Sequence, residues 1–331
     1  MTHSPATPRT FSNPLLAYGP DPWVICHDGF YYYMHSIETN LTIWKTTDLT
    51  QLARAEQKIV WTAPETGPCS RNIWSPELHF INGVWYIYFS ADDERGINER
   101  QRMFVLVNET ADPFSDHWHL AGELRLPDDK WAIDGTAFTY RGQLYFTWSG
   151  WAGDDNTRQD IYLCRLKDPL TADGERVVLS EPVLDWERHN YDPDPENPRN
   201  HIFINEGPAP LLHGDRLFLI YSASGCWTDQ YCLGMLTAPT DTDLMTPGSW
   251  VKNPRPVFQT SVENQVYAPG HNSFFRTADG SDWLLYHANP RPGLGCENER
   301  SPRLQPVHWQ PDGTPHFGTP VAEGVPITWR Q

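Results

Sequence analysis

The chain has 331 residues, and its 42 Asp and Glu against 25 Lys and Arg give a net charge of −17. This charge repels the phosphates of nucleic acids and of acidic membrane surfaces, so we expect neither as a partner and expect a neutral ligand instead. The length is sufficient for one large domain with a substantial core.

Residues 1–10 are polar and lack the apolar core of a signal peptide, and no apolar run approaches the length of a membrane span. We therefore expect a cytoplasmic protein, or a secreted one if a leader has been removed.

The six cysteines form no C-x-x-C pair, which argues against a zinc or redox motif. Cys226 and Cys232 are close enough in sequence to form a disulfide in an exported protein. Buried free thiols are the favoured interpretation for the cysteines as a group.

Taken in chain order, one pattern occurs five times. A polar residue, here called a leader, precedes a short strand, a turn with glycine and a second strand rich in aromatic residues. The leaders are Asp21, Glu77, Asp134, Glu206 and His271. For Asp21, Asp134 and Glu206 the turn glycine follows at the same interval of 8 residues. This repetition predicts that the chain is built from five similar units.

The segments between these hairpins continue the pattern. Apolar runs at 41–44, 102–107, 161–164 and 231–236 predict further strands, and 250–258 adds another in the fourth unit. Pro208 and Pro210 cannot donate to a strand ladder, so the strand after Glu206 should be an edge strand. Residues 1–20 form an irregular lead-in.

The leaders recur about every 55 to 70 residues, which leaves room for four strands with their loops in each unit. Repeated four-stranded sheets with short protected edges are typical of a β-propeller. We predict one all-β domain over residues 1–331, a five-bladed β-propeller with blades starting near residues 21, 74, 133, 205 and 270, and no accessory module. The first strands would line a central channel and bring the leaders to one mouth.

Carboxylates that share a partly desolvated mouth raise one another's pKa, and the most buried group is raised most. One acid then stays protonated while another is ionised, and such a pair suits hydrolysis of a glycosidic bond. The chain has no G-x-S-x-G for a serine triad and no H-E-x-x-H for a metal hydrolase. Residues 192–196 lack the glycine and the spacing of an EF-hand, which favours a solvated loop.

Each leader also has a purely structural explanation. Asp21-Pro22 and Asp134-Gly135 are common turn dipeptides. Glu206 fits a strand cap in solvent, Glu77 a contact between blades, and His271 a hydrogen-bonded core histidine. Three acids at one position of three units make coincidence the weaker explanation.

The leader segments resemble those of glycoside hydrolase family 43, whose members are five-bladed propellers acting on arabinans and xylans. The matching segments follow the family's order along nearly the whole chain; they are Gly19-Pro20-Asp21-Pro22, Trp74-Ser75-Pro76-Glu77-Leu78, Ala132-Ile133-Asp134-Gly135, Asn205-Glu206-Gly207-Pro208, Gly270-His271-Asn272-Ser273 and Arg303-Leu304-Gln305-Pro306-Val307. The resemblance implies that Asp21 is the general base, Glu206 the general acid, and Asp134 the carboxylate that raises and orients the acid. It also implies inversion at the anomeric carbon, with base and acid about 6.5–9.5 Å apart.

The same resemblance implies that Trp74, Glu77 and Arg303 form the substrate-binding set, with Glu77 in a supporting position. The arginine that Arg303 matches contacts the sugar or steadies the carboxylates. It places His271 in the channel, where the matching histidine of many members lies beside a bound Ca²⁺ or a water cluster. It implies no organic cofactor, and a structural Ca²⁺ in the channel is an expectation.

Four further segments are similar to the exo-acting α-1,5-L-arabinofuranosidases of the family; they are Trp61-Thr62-Ala63-Pro64, Tyr221-Ser222-Ala223-Ser224, Tyr231-Cys232-Leu233-Gly234 and Asn253-Pro254. The implied substrate is arabinan or arabino-oligosaccharide, cut to release terminal L-arabinofuranose. A β-xylosidase or an endo-arabinanase of the family remains an alternative, as does a lectin-like propeller that binds sugar without cleaving it. An exo enzyme should have a blind pocket, closed by loops 92–101, 185–201 and 289–300.

Overall fold

A computed structural model describes residues 9–192, 194–239, 241–296 and 299–329 of the chain. Within these ranges the regular structure consists of β-strands and five short 3-10 helices, with no α-helix, so the all-β prediction is confirmed. None of these described helices is long and apolar enough to cross a membrane.

The first strand, β1 (Arg9–Phe11), precedes five groups of antiparallel strands, here called sheets 1 to 5; a short parallel pairing joins sheets 3 and 4 into one eight-stranded sheet. Sheet 1 contains β2 (Trp23–His27), β3 (Phe30–Met34), β4 (Asn40–Thr46) and β5 (Glu56–Thr62). Sheet 2 contains β6 (Arg71–Ile81), β7 (Val84–Asp92), β8 (Arg102–Asn108) and β9 (His119–Glu123). Sheet 3 contains β10 (Ala132–Tyr140), β11 (Gln143–Trp151), β12 (Arg158–Asp168) and β13 (Thr171–Ser180).

Sheet 4 contains β14 (Phe203–His213), β15 (Arg216–Ala223), β16 (Cys232–Ala238) and β17 (Val251–Lys252). Sheet 5 contains β18 (Tyr267–Arg276), β19 (Asp282–Asn289) and β20 (Ser301–Pro306). The chain ends with β21 (His308–Trp309), β22 (Pro315–His316) and β23 (Ile327–Trp329). The 3-10 helices are Leu49–Arg54, Asn98–Arg100, Asp185–Glu187, Pro198–His201 and Pro247–Ser249.

The first strands of the five sheets contact one another in a closed cycle. Strand β2 contacts β6, β6 contacts β10, β10 contacts β14, β14 contacts β18, and β18 returns to β2. Strand β14 pairs with β15 along its length and meets β12 on its other side only at Phe203 and Ile204. This free edge accommodates Pro208 and Pro210, because neither has an N–H to donate.

The apolar core is divided among the interfaces between successive sheets. One cluster each joins sheets 1 and 2, 2 and 3, 3 and 4, 4 and 5, and 5 and 1. Both faces of a sheet are therefore buried against the neighbouring sheets. Burial of large aromatic residues such as Trp85 and Trp148 supplies much of the driving force for folding.

The N-terminal segment does more than lead into the first sheet. The Asn13 amide bonds both the carbonyl and the N–H of Leu304, and the Leu15 N–H donates to Pro302, so residues 13–19 run along the open edge of β20. Strand β1 then pairs with β23, and the side chains of Phe11 and Trp329 pack in the cluster between sheets 5 and 1. This clasp, formed by residues 13–19, was not predicted from the sequence. The polar backbone groups on the edge of β20 bond mainly to irregular backbone and to one amide side chain, which leave no strand pattern in the sequence.

A two-residue bulge lies within or just before the start of each first strand; in sheet 1 it precedes β2, between Trp23, which pairs with Met34, and Pro20, whose carbonyl accepts the N–H of Ser36. The bulges are Asp21-Pro22, Ser75-Pro76, Asp134-Gly135, Gly207-Pro208 and His271-Asn272. Their first residues all have positive φ, between 47° and 54°. A left-handed residue in a bulge bends the strand and re-aims its side chain. Proline in the second position of three bulges removes an N–H that the ladder would leave unpaired.

Counted from these bulges, Asp21 and Asp134 occupy equivalent positions but Glu206 does not. Asp134 is the first residue of its bulge, whereas Glu206 is the last paired residue before its bulge. The equal intervals conceal this offset, because Gly214 is the first residue of its turn and Gly142 the second. The prediction of one shared position for the three acids is therefore wrong by one residue.

The cysteine expectations also need correction. Cys226 forms a disulfide with Cys296, and Cys232 is a buried free thiol. Cys232 begins β16 and packs in the cluster between sheets 3 and 4, so its side chain is committed to the core. Cys226 instead lies on the loop before β16 and meets the loop after β19. Cys26 is free and exposed rather than buried.

The strand predicted over 250–258 is much shorter than expected. Only Val251–Lys252 forms a ladder with β16, and Phe258 makes an isolated bridge to Leu233. The intervening prolines 254 and 256 remove ladder donors, which ends regular pairing.

Candidate active site

The five leaders are buried, with exposed fractions between 4% and 9%. Nδ1 of His271 lies 3.3 Å from Oδ1 of Asp21 and 4.0 Å from Oδ2 of Asp134. The N–H of Gly207, the residue after Glu206, donates to Asp134, and a Cβ added to this glycine would lie 3.4 Å from the His271 ring. The three acids predicted to be catalytic and His271 thus form one cluster where the first strands begin.

Asp21 is held by polar contacts on both carboxylate oxygens. Oδ1 accepts from Nη1 of Arg300 at 3.0 Å, and Oδ2 accepts from Oγ of Ser36 at 2.7 Å. Burial alone would raise the pKa of Asp21, but Arg300 and His271 together lower it below the ordinary range. The backbone N–H of Asp21 donates to Nδ1 of His287, and burial lowers the pKa of that histidine, which makes it a neutral acceptor.

Asp134 occupies the centre of the cluster. Its Oδ1 accepts from Oγ of Ser75 at 2.6 Å, and Ser75 heads the equivalent bulge of sheet 2. Burial raises the pKa of Asp134 and the Asp21 carboxylate raises it further, while His271 opposes the shift. Asp134 therefore links the charge of Asp21 to the environment of Glu206.

Glu206 has the opposite electrostatic setting from Asp21. Burial first, and then the nearby Asp134 carboxylate, raise the pKa of Glu206 to about 8. Its Oε1 accepts the hydroxyl of Tyr231 at 2.8 Å, a bond that favours the ionised form and limits the rise. At neutral pH Glu206 is protonated and Asp21 is ionised.

Glu77 lies beyond the bulge of sheet 2, paired with Tyr88, and is not equivalent to the other leaders. Its Oε2 is 2.9 Å from Nε2 of His79. Burial raises the pKa of Glu77 well above its usual value and lowers that of His79 to about 3. We therefore describe this contact as a hydrogen bond between neutral groups and not as an ion pair.

The surroundings of His271 do not match a calcium cage built by protein alone. Ca²⁺ takes six to eight oxygen ligands, and within the described ranges no group of three His, Cys, Asp or Glu side chains is arranged to hold an ion. The Nδ1 of His271 faces the carboxylate of Asp21. The side-chain amide of the adjacent Asn272 is buried, and neither its oxygen nor its nitrogen has a hydrogen-bond partner among the described residues. A Ca²⁺ beside His271 would therefore take most of its oxygen ligands from water.

Two arginines from the end of the fifth unit have different surroundings. Arg303, the arginine predicted to contact sugar, is 1% exposed. Its Nε donates to Oγ of Ser301, and its Nη2 lies 3.9 Å from Oε2 of Glu323. Arg300 is the one that binds Asp21, and its Nε is buried with no partner in the described part of the chain. The sequence pointed to the strand residue because Arg303 stands inside the recognisable segment, whereas Arg300 ends a long loop.

Trp74 packs in a small apolar cluster with Trp131, Ile133 and Trp151. The rings of Trp131 and Trp151 are stacked with centroids 4.9 Å apart, and Nε1 of Trp131 donates to Asn98 in the loop before β8. The cluster joins the starts of β6 and β10 and the end of β11. Trp131 and Trp151 were not singled out from the sequence, because tryptophan is common throughout this chain.

Two of the three loops expected to close a pocket meet over sheets 4 and 5. Trp186 and His189 from loop 185–201, and Pro292 from loop 289–300, line a cavity of about 450 Å³. Loop 92–101 instead lies beside β6 and β10, where Gln101 donates to Asn72. The four leader residues of the cluster do not line this cavity.

An ionised carboxylate and a protonated carboxyl in one buried cluster can deprotonate water and protonate a leaving oxygen in the same reaction. This arrangement is typical of a glycoside hydrolase, in which two carboxyl groups flank the bond to be cut.

Comparison with known proteins agrees with that class. The family model described as glycosyl hydrolases family 43 matches residues 11–315. The extracellular exo-alpha-(1->5)-L-arabinofuranosidase of Streptomyces avermitilis is 37% identical over 332 residues, covering 97% of this chain and 66% of that protein. This chain thus spans about two thirds of that relative's length. The chain belongs to glycosyl hydrolases family 43.

This chain covers more of the length of two further relatives. The extracellular exo-alpha-(1->5)-L-arabinofuranosidase of Streptomyces chartreusis is 36% identical over 87% of this chain and 85% of that protein. The crystal structure of an alpha-L-arabinofuranosidase from Lactobacillus brevis has a TM-score of 0.86 at 34% identity, covering 95% of this chain and 98% of that one.

Proposed function

We propose that the protein is an inverting glycoside hydrolase that releases terminal L-arabinofuranose from α-1,5-linked arabinan or arabino-oligosaccharides. The observation that carries the proposal is that two buried acids of one cluster have opposite surroundings. Arg300 binds Asp21 and lowers the pKa of that acid, whereas burial and the nearby Asp134 carboxylate raise the pKa of Glu206. The names of the relatives from Streptomyces and Lactobacillus supply the choice of sugar.

The proposed architecture is a single catalytic domain over residues 1–331, folded as a five-bladed β-propeller. The closed cycle of contacts among β2, β6, β10, β14 and β18 supports it, as do the five apolar clusters between successive sheets. Each sheet is then one blade, and residues 13–19 complete the three-stranded fifth sheet.

In the proposed reaction Asp21 takes a proton from a water molecule, whose oxygen attacks the anomeric carbon. The glycosidic C–O bond breaks as Glu206 gives its proton to the leaving oxygen. Asp134 keeps the pKa of Glu206 high through its charge and anchors the Gly207 backbone beside it. Inversion requires room for the water, so the carboxyl groups of Asp21 and Glu206 should lie about 6.5–9.5 Å apart in the substrate complex.

The remaining assignments follow from position. We propose that Trp74 offers an aromatic face to the sugar and that Glu77, as a neutral carboxyl, donates a hydrogen bond to it. We keep Arg303 as a proposed substrate-binding residue. We add Arg300, because its buried Nε–H has no partner among the described residues and is available to a ligand. No organic cofactor is needed for this chemistry. A Ca²⁺ near His271 stays a prediction, and because no step uses it, chelation with EDTA should leave kcat unchanged.

The disulfide bears on where the protein works. Disulfides persist in oxidising compartments and are rare in the cytosol, and the two Streptomyces relatives are named extracellular. We therefore propose the secreted alternative over the cytoplasmic one.

The test compares release from 4-nitrophenyl α-L-arabinofuranoside, 4-nitrophenyl β-D-xyloside, linear arabino-oligosaccharides and branched arabinan. Arabinose alone as product supports the proposal, xylose release alone would establish a β-xylosidase, and longer products would establish endo action. Binding without any release would establish a sugar-binding protein.

The site assignment has its own test. Asp21→Ala should lower kcat about 10²–10⁴-fold on every substrate. Glu206→Gln should do so on oligosaccharides but much less on the 4-nitrophenyl glycoside, because nitrophenolate leaves without a proton. Full activity of either variant on oligosaccharides would refute the assignment.

A further inference from the structure

The cavity over sheets 4 and 5 lies at the same end of the sheets as the acids. Its walls come from the connections that follow β13, β17 and β19, from the residues just before β16, and from the first position of β18; they are Trp186, Gln259, Pro292, Gln230 and Tyr267. Because the strands alternate in direction, all these termini lie on one side of the molecule. Glu206 is close to the start of β14 on that side.

One aromatic side chain links the cavity to the general acid. Gln230 and Cys232 line the cavity, and Tyr231 between them donates its hydroxyl to Glu206. The Tyr231 ring is packed so closely on Gly270 that a Cβ there would lie 2.1 Å from it. The segment that positions the acid is therefore also a wall of the cavity.

A general acid marks the side of the leaving group, because it gives its proton to the leaving oxygen. The water activated by Asp21 approaches from the opposite face in an inverting reaction. We infer that the cavity binds the leaving part of the arabino-oligosaccharide, meaning the neutral pentofuranose units beyond the bond that is cut. This inference rests on the proposed function.

The chemistry of the lining suits such a ligand. Trp186 and Tyr267 offer aromatic surface, and the exposed amides of Gln230 and Gln259 offer donors and acceptors to hydroxyl groups. No Lys or Arg is present in the described lining, which disfavours an anionic ligand. A volume of about 450 Å³ is within the range of ~300–1,000 Å³ for small-ligand sites.

The wall nearest the acid is fixed before any ligand binds. The disulfide Cys226–Cys296 ties the loop before β16 to the loop after β19, and Oδ1 of Asp229 accepts the N–H of Gly293 at 2.8 Å between the same loops. A rigid wall lowers the entropy cost of binding a flexible chain.

The experiment adds bulk and charge to the cavity with Val262→Arg, at a lining residue that is 70% exposed. We expect kcat/KM for α-1,5-arabinotetraose to fall about tenfold more than kcat/KM for 4-nitrophenyl α-L-arabinofuranoside. The matched control is Val251→Arg, at a 61% exposed valine of β17 outside the lining, which should change neither value. Gln259→Ala, a milder change at an exposed residue, should shift the same ratio in the same direction.

A second measurement uses binding instead of turnover. In the Glu206→Gln background, Val262→Arg should weaken arabinotetraose binding about tenfold in calorimetry and leave arabinose binding unchanged. Equal effects on long and short substrates, or no effect on either, would overturn the inference. If the unmodified enzyme releases no arabinose from any substrate, the proposed function itself fails, and that outcome is visible before any variant is made.

Discussion

The hydroxyl of Tyr231 donates to Oε1 of Glu206 across 2.8 Å, with both side chains buried at the start of sheet 4. Glu206 comes from the first strand of the sheet and Tyr231 from the residue before its third strand. A hydrogen bond to a carboxylate favours the ionised form. Tyr231 therefore holds the pKa of the acid lower than burial and Asp134 alone would set it.

Removing that hydroxyl should change the pH dependence of hydrolysis. In Tyr231→Phe the pKa of Glu206 rises above about 8, so the alkaline limb of the profile of kcat/KM against pH moves to higher pH. We also expect a loss of up to about tenfold at the optimum, because the ring is no longer anchored to the acid. Tyr140→Phe is the control, since that hydroxyl binds the Asp215 carbonyl elsewhere. An unmoved alkaline limb would mean that Glu206 is not the group titrating there.

The opposite limb should report on Arg300. Loss of its cation in Arg300→Gln raises the pKa of Asp21, so the acid limb of kcat/KM moves to higher pH. Arg303→Gln removes a buried arginine that makes no described contact with Asp21, and it should leave the acid limb in place. If both variants move the acid limb equally, a general loss of charge and not the Asp21 contact is responsible.

The buried acid also predicts how stability depends on pH. The pKa of Glu206 is about 8 in the folded state against 4.5 ordinarily, so between these values the folded chain binds the extra proton. Stability from this group is present below pH 4.5 and declines as pH rises to 8. Glu206→Gln should therefore gain more in Tm over the unmodified protein at pH 8 than at pH 5. Thermal unfolding at both pH values measures this, and an equal difference would contradict the shift.

Breaking the disulfide should lower the stability of the folded protein. Cys226 and Cys296 are 70 residues apart, and loss of such a crosslink typically costs about 2–4 kcal/mol. The double variant Cys226→Ser with Cys296→Ser should lower Tm, and dithiothreitol should lower the Tm of the unmodified protein only. Cys164→Ser, at a buried free thiol, separates the crosslink from simple loss of sulfur.

Much of the architecture was predictable because two-residue turns between apolar runs are local signals. Strands β2, β6, β10, β14 and β18 begin within 3 residues of the predicted starts. The clasp of residues 13–19 was not predictable in this way, because it depends on a partner strand almost 300 residues away. The bulges explain the one-residue offset of Glu206, since a positive φ at Asp134 has no signature in residue spacing.

The site shows the same division. Asp21, Asp134 and Glu206 carry strong local motifs, so the sequence identified them as a set. Their partners Ser36 and Arg300 lie at loop ends without any pattern. Tyr231 stands in a segment that was noted for its resemblance but not for a contact with Glu206, and only the fold brings the three partners to the acids. The pairing of Cys226 with Cys296 was missed for the same reason, since it joins loops of two different sheets.

Because the apolar clusters lie between the sheets, the middle of the molecule is left to polar side chains that hold little of the hydrophobic energy. Catalytic power and structural robustness are consequently drawn from separate sets of residues. A scaffold divided in this way can exchange the groups at its bulges, and so acquire new specificities, while the packing that keeps it folded is inherited intact.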